Sequence, residues 1–391
     1  MLFPIQRAFI PVILLSSQVL QIEAVPHDGE DNSLLPAFTL VGQGNRDQGN
    51  CAGDDLELLK SAYEDACAMS RRAVEDLDFL VDQAKATAGK GPDKKSNKAD
   101  YSNYRRILDT FIALFGTSPF DQQGNVDVGG PLFVPNDGSY HLKGFFETMV
   151  NEKCSGRDID KRIFCTDNHW EFLKNDAQDP TDPSKTIQEN LPQCQTYGGI
   201  WYSSVQPAGE QWLFAPPPSS PGKRPICDDR KLAVTHFSPG TITFCQLSLN
   251  PNVVLDTIKG FEGSIKPTNT RYGMTDKALD KMRLGDLIKK KDLTSIEFLR
   301  DSLSLTFLHE MLHLLTDKPD QDAVDEDGNP IMDRDGKPEL TYGWTRCRNL
   351  ATHDTQLSWG NPDNVALFAL AMYFRQWDWS RGYPQPVKKA D

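Results

Sequence analysis

His309, Glu310 and His313 stand in the run His-Glu-Met-Leu-His, where three side chains able to do chemistry fall within a little more than one helical turn. Residues four apart share one face of a helix, so both imidazoles can reach a single metal ion while Glu310 leans toward its open side. Neutral imidazole suits zinc. A third protein ligand would leave the fourth position to a water whose pKa the cation lowers, and Glu310 could take that water's proton. The competing reading is a buried helix holding two histidines by accident. With 7 histidines in 391 residues, this spacing with glutamate in second place arises by chance in roughly one such sequence in a hundred. The residues therefore predict a metal site on His309 and His313, with Glu310 as general base.

The elements that must position this triplet are partly legible around it. Leu299, Leu303, Leu305, Leu308, Met311, Leu312 and Leu315 predict a helix buried on more than one side. Thr294-Ser295-Ile296-Glu297 fits a capping box at its start, with Leu293 and Phe298 placed as a hydrophobic staple. A break near Asp301-Ser302 would leave a shorter metal-bearing helix from Leu303 to Leu315. Upstream, apolar spacing predicts helices over 54–88 and 102–115, the second closed by Gly116. Strand candidates are 199–203, 232–237 and 241–249, the last two separated by Ser238-Pro239-Gly240 as in a hairpin. His141, His169 and His236 read as structural or surface histidines. Downstream, 317–338 is acidic and carries two Asp-Gly repeats that favour successive hairpin tips; calcium binding is the alternative use of its carboxylates. Asn361 and Pro362 open a last helix to about Trp377.

Composition narrows the setting. A formal charge of −13 and the absence of a basic stripe with interleaved aromatics argue against nucleic acid as a partner. Arg7, the apolar run Ala8 to Leu15 and the small residue Ala24 read as an export signal over 1–24, and that run is too short to cross a bilayer. Residues 25–50 read as a short prosegment or extended arm, 51–380 as one domain with a helical part over 51–120 and a catalytic part over 195–380, and 381–391 as a polar tail. The 8 cysteines suit an oxidising compartment and predict four disulfides of open pairing. The expectation is a secreted, extracellular monomer with no membrane partner.

A zinc site needs a third ligand. The extended motif of metzincins fails, because Thr316 and Pro319 occupy its glycine and histidine positions. Gly336-Lys337-Pro338-Glu339-Leu340-Thr341-Tyr342-Gly343 resembles the second motif, G-T-x-D-x-x-Y-G, of the deuterolysin and peptidyl-Lys metalloendopeptidase group, the aspzincins. Lys337 replaces the family threonine, and Glu339 stands where the family has its aspartate ligand. The resemblance implies Glu339 as third ligand, with His353 and Asp354 as rivals. It implies that Tyr342 donates to the oxyanion; a tyrosine merely packed in a turn is the alternative. Asn361-Pro362-Asp363 is similar to the family's N-A-D helix opening. By that resemblance Asp363 belongs at the pocket for the residue after the cleaved bond and favours basic side chains; an acidic residue answering the helix dipole is the alternative. The fold implied is α+β and zincin-like, a helical N-terminal part packed on a small sheet with the zinc cleft between. The function implied is a secreted zinc endopeptidase acting on protein or peptide substrates, with a bias toward basic ones. The other class of function is a secreted, non-catalytic binding protein on a protease-like scaffold, suggested by the altered second motif and the long insertions.

Overall fold

The computed structural model describes residues 39–40, 51, 53–132, 141–154, 161–206, 208–218, 223–228, 230–237, 240–250, 258, 296–300 and 302–387. The expected export signal, the Thr294 cap with its staple, and the last residues of the tail lie outside them.

Long amphipathic helices make the framework. Helix α1 (Asp54–Ala86) opens with Asp54, Asp55 and Glu57 and closes with Lys85, charges that oppose the helix dipole at each end. Leu59, Ala62, Ala66, Ala73, Leu77 and Leu80 form its buried stripe, as their spacing predicts. Helix α2 (Lys98–Phe115) begins earlier than the apolar pattern implies, because the Asn97 side chain accepts from Asp100 N–H. It ends at Gly116, whose φ of 73° suits glycine and whose missing side chain lets the carbonyl of Ala351 approach. Short helices α3 (Leu142–Thr148) and α4 (Ile187–Asn190) follow; His141 caps the first by accepting from Gly144 N–H at 3.1 Å.

Two small sheets sit in the middle of the chain. The first has the order β1 (Thr39–Leu40), β2 (Arg162–Phe164), β7 (Thr241–Phe244), β6 (Ala233–His236), with β1, β2 and β7 parallel and β6 antiparallel at one edge. The second has the order β3 (Glu171–Lys174), β4 (Gly199–Tyr202), β5 (Trp212–Leu213) and covers its own apolar cluster around Trp170, Trp201 and Ile226. The hairpin of β6 and β7 and strand β4 agree with the sequence expectation, though β7 stops at Phe244 and turns follow. Strands β1, β2 and β5 are too short for an alternating pattern to register, and β3 is a strand not expected from the sequence.

Helices α5 (Ile296–Arg300) and α6 (Leu303–Thr316) show the expected break, with Ser302 capping the second by accepting from Leu305 N–H at 3.2 Å. Helices α7 (Trp344–His353), α8 (Thr355–Gly360) and α9 (Pro362–Tyr373) complete the core, and β8 (Trp377–Asp378) pairs with β9 (Gln385–Pro386). Helix α6 is buried between α1, α9 and β6, so almost every side chain from Leu303 to Leu314 is enclosed. Phe307 stacks on Phe244 with centroids 5.3 Å apart, and Asp65 of α1 accepts from the Ser304 hydroxyl at 2.7 Å. Truncating one such buried leucine would cost about 2–5 kcal/mol. Residues Leu34–Asp391 form one compact unit.

The disulfides are Cys51–Cys165, Cys67–Cys154 and Cys227–Cys245. The expected fourth bond does not form. Cys194 lies buried beside Asn175 and Cys347 lies buried in α7, so each thiol is enclosed by its own surroundings. Among the described residues no helix is long and apolar enough to cross a membrane.

Candidate metal centre

Helix α6 delivers His309 and His313 to one point, their Nε2 atoms 3.0 Å apart. Beyond Thr316 the chain reverses through Asp317, at a left-handed φ of 52°, and Pro319. This turn brings Asp320 back over the imidazoles, with Oδ1 3.3 Å from His309 Nε2 and Oδ2 3.4 Å from His313 Nε2. Among the described residues the set able to hold a metal ion is therefore His309, His313 and Asp320.

Glu339, the expected third ligand, is not in that set. Its carboxylate pairs with Arg346 of α7. The physical reason lies in the segment between the two candidates. Residues 322–340 fold out as paired turns, with bridges Asp322–Leu340, Val324–Pro330 and Met332–Pro338. Asp325 accepts from Asp327 and Asn329 N–H, and Asp333 from Asp335 and Lys337 N–H, so the two hairpin tips expected from the Asp-Gly repeats are present. The rivals also stand elsewhere: His353 meets the Glu326 carbonyl at 2.9 Å, and Asp354 caps α8.

Asn361 closes this excursion at its base. Fully buried, it accepts from Gln321 N–H at 3.1 Å and donates to the Thr341 carbonyl at 3.3 Å. One amide thus clamps the residue after Asp320 and the residue before Tyr342. Tyr342 then lies over the site, its ring 5.8 Å from that of His309 and its hydroxyl donating to Asp320 Oδ2 at 2.6 Å. Its neighbour Gly343 has φ 84°, and a Cβ there would meet Glu297 at 2.6 Å, so only glycine fits this corner.

The surroundings orient each ligand. His313 Nδ1 lies 2.6 Å from the Lys318 carbonyl, which can only accept, so Nδ1 carries a proton and Nε2 is turned toward His309. His309 Nδ1 faces Asp363 Oδ1 at 3.4 Å, which turns its Nε2 toward the same point. Asp363 lines the cavity beside His309, and its carboxylate is already engaged: Oδ2 accepts from Gly343 N–H at 2.6 Å. Glu310 Oε2 accepts from the Thr235 hydroxyl of β6 at 2.6 Å, which aims the carboxylate along the cleft.

These contacts answer whether a cation fits. Two bare imidazole nitrogens and two carboxylate oxygens converge on one point, and Asp320 Oδ1 is buried without a hydrogen bond despite its 3.3 Å approach to His309. Lone pairs so arranged repel unless a positive charge stands among them. In the protein alone a proton plays that part. Burial by itself would lower the His309 pKa, but the neighbouring carboxylates of Asp320 and Asp363 outweigh it and hold the pKa well above the ordinary histidine value. Burial likewise works to raise Asp320, and the two imidazoles overcome it and hold the carboxyl far below the usual range. Burial and the Asp320 charge push the Tyr342 phenol far up, so it remains an O–H donor at any working pH.

A cavity of about 380 Å³ opens beside the cluster. His309, Glu310, Tyr342 and Asp363 line it together with Leu305, Thr306, Leu340 and Arg300 and with Arg230, Lys231, Leu232 and Ala233. Strand β6 reaches it at Ala233 and has one edge unpaired among the described residues. Because Leu232 O accepts from Cys245 N–H, the antiparallel register turns the backbone groups of Ala233 and Thr235 away from β7.

Sequence reasoning missed Asp320 and the Asn361 clamp. The available signal for the first was a carboxylate just beyond a proline turn after the second histidine. For the second, the Asn-Pro helix opening was visible but its buried amide was not. Comparisons with protein-family models, with curated proteins and with solved structures find no match to this chain.

Proposed function

We propose that the protein is a secreted, zinc-dependent endopeptidase of aspzincin type, with His309, His313 and Asp320 as metal ligands. The observation that carries this reading is the convergence of two oriented imidazoles and a buried carboxylate beside Glu310 in one cleft. A bound divalent ion would supply a water of lowered pKa and a Lewis-acid contact for the scissile carbonyl.

The chain's own residues account for the remaining needs of peptide hydrolysis. The outward backbone groups of Ala233 and Thr235 can pair with an extended peptide as an added strand and so lay its scissile bond across the cleft. Glu310, steadied by Thr235 through Oε2, takes the proton of the attacking water on its other oxygen and passes it to the leaving amine. Tyr342, always protonated, leaves Asp320 and donates to the carbonyl oxygen as negative charge develops there. Asp363 and the Lys318 carbonyl hold the imidazole tautomers through both events. Three disulfides are compatible with an oxidising, extracellular setting.

The test is hydrolysis of unstructured protein and quenched peptides by the full exported chain, stripped with a chelator and reloaded with zinc. Zinc should restore activity, and Glu310→Gln should abolish hydrolysis while binding zinc as the wild type does. A non-catalytic binding protein on the same scaffold would retain its function in Glu310→Gln, and zinc-loaded wild-type protein inert toward every peptide would exclude the peptidase.

A further inference from the structure

Positive charge, rather than negative, is what the cleft offers to a guest side chain. Arg230 and Lys231, just before β6, line the same cavity as His309, Glu310 and Tyr342. Arg230 is exposed and makes no ion pair among the described residues. Lys231 is braced by the Ile226 carbonyl at 3.0 Å and stands 3.8 Å from Asp228, an exposed and loose pairing. Arg300, held toward Glu297 at 3.8 Å, adds a third cation to the lining.

The carboxylates of the cleft are committed elsewhere. Glu310 accepts from Thr235, Asp320 faces both imidazoles and Tyr342, and Asp363 serves Gly343 N–H and His309. A cationic substrate side chain meets carboxylates that already hold other donors, whereas an anionic one meets Arg230 and Lys231, whose near carboxylate is the exposed Asp228, 3.8 Å from Lys231. The cavity also presents Leu232, Leu305 and Leu340, which suits an aliphatic stem below a charged head. The formal charge of −13 acts in the opposite sense, but it is spread over the whole chain. Charges farther than about 8 Å are largely screened at physiological salt, so the near cations decide what the cleft receives.

We propose, resting on the peptidase reading above, that the enzyme selects peptides with glutamate or aspartate adjoining the cleaved bond, and that Arg230 and Lys231 are the side chains that set this preference. The expectation of basic substrates taken from the family resemblance is thereby reversed for this chain.

Matched quenched peptides differing only in Glu, Gln or Lys on either side of the cut, given to the zinc-loaded full chain, test it. Glutamate should exceed lysine by about tenfold in kcat/KM, with the advantage shrinking as salt rises. The double variant Arg230→Gln, Lys231→Gln should bring the Glu-to-Lys ratio near one, and Arg230→Glu, Lys231→Glu should invert it. Calorimetry on zinc-loaded Glu310→Gln should show the same order of peptide affinities without turnover. Hydrolysis with no preference for glutamate, or a preference that survives charge reversal, overturns the proposal and leaves the peptidase standing. Failure of every peptide to be cut removes both.

Discussion

The Tyr342 hydroxyl donates to Asp320 Oδ2 at 2.6 Å although 22 positions separate the two residues along the chain. The segment between them folds out as paired turns, and Asn361 holds its two ends together at the base. The candidate metal centre is therefore assembled across an excursion of the chain, and its residues can be separated experimentally from those that merely lie near it in sequence.

Asp320→Ala should lower zinc affinity by more than about a hundredfold, since even outer-sphere losses reach 10–100-fold. Glu339→Ala, which removes only the contact with Arg346, should leave affinity within about twofold on the view that surface ion pairs contribute little. Competition titration with a chromophoric chelator measures both. Equal losses in the two variants would return Glu339 to consideration as a ligand.

Asp363→Asn keeps an oxygen for Gly343 N–H but withdraws the charge that faces His309 Nδ1. Zinc affinity should fall by about 10–100-fold while the fold is retained. The readout is metal content after dialysis at fixed free zinc, alongside an unchanged circular dichroism spectrum.

Metal and proton compete for His309. Its pKa is raised above the ordinary value, against the effect of burial, by Asp320 and Asp363, so zinc must displace a proton at neutral pH. Affinity should rise by about tenfold per pH unit below that raised pKa. Calorimetry in two buffers of different ionisation enthalpy counts the released proton directly. For the metal-free protein the sign follows from linkage. The raised His309 pKa contributes stability that is complete below the unfolded value of about 6.5 and is lost as pH climbs through the folded one. The depressed Asp320 pKa contributes stability present above about 3.9 and lost as pH falls. Chelated protein should thus melt highest between these limits, and zinc should flatten the alkaline decline.

Tyr342→Phe removes the donor and its hydrogen bond to Asp320 Oδ2 while leaving His309, His313 and Asp320 in place. If the phenol meets developing charge on the carbonyl oxygen, kcat should drop by about 10²–10³-fold with zinc affinity little changed. Single-turnover kinetics with a quenched peptide distinguish this from a loss of substrate binding, which would appear in KM.

The His-Glu-Met-Leu-His run, the helix that carries it, its break at Ser302 and the two hairpin tips were legible in the sequence, because each depends on contacts within a few residues. Helical periodicity alone puts His309 and His313 on one face, and Asp-Gly pairs make turns wherever they occur. The third carboxylate was not legible. Asp320 and Glu339 are both acidic residues downstream of the helix, and local pattern has no means of ranking them. What decided between them was long-range: a reversal through Asp317 and Pro319, a buried Asn361 amide joining distant backbone segments, and Arg346 drawing Glu339 aside. The same holds for Asp363, whose negative charge reads from sequence as an invitation to a cation. Only packing of α9 under His309 shows that charge already spent on an imidazole and a backbone amide, and only the approach of β6 brings Arg230 and Lys231 to the cleft in its place.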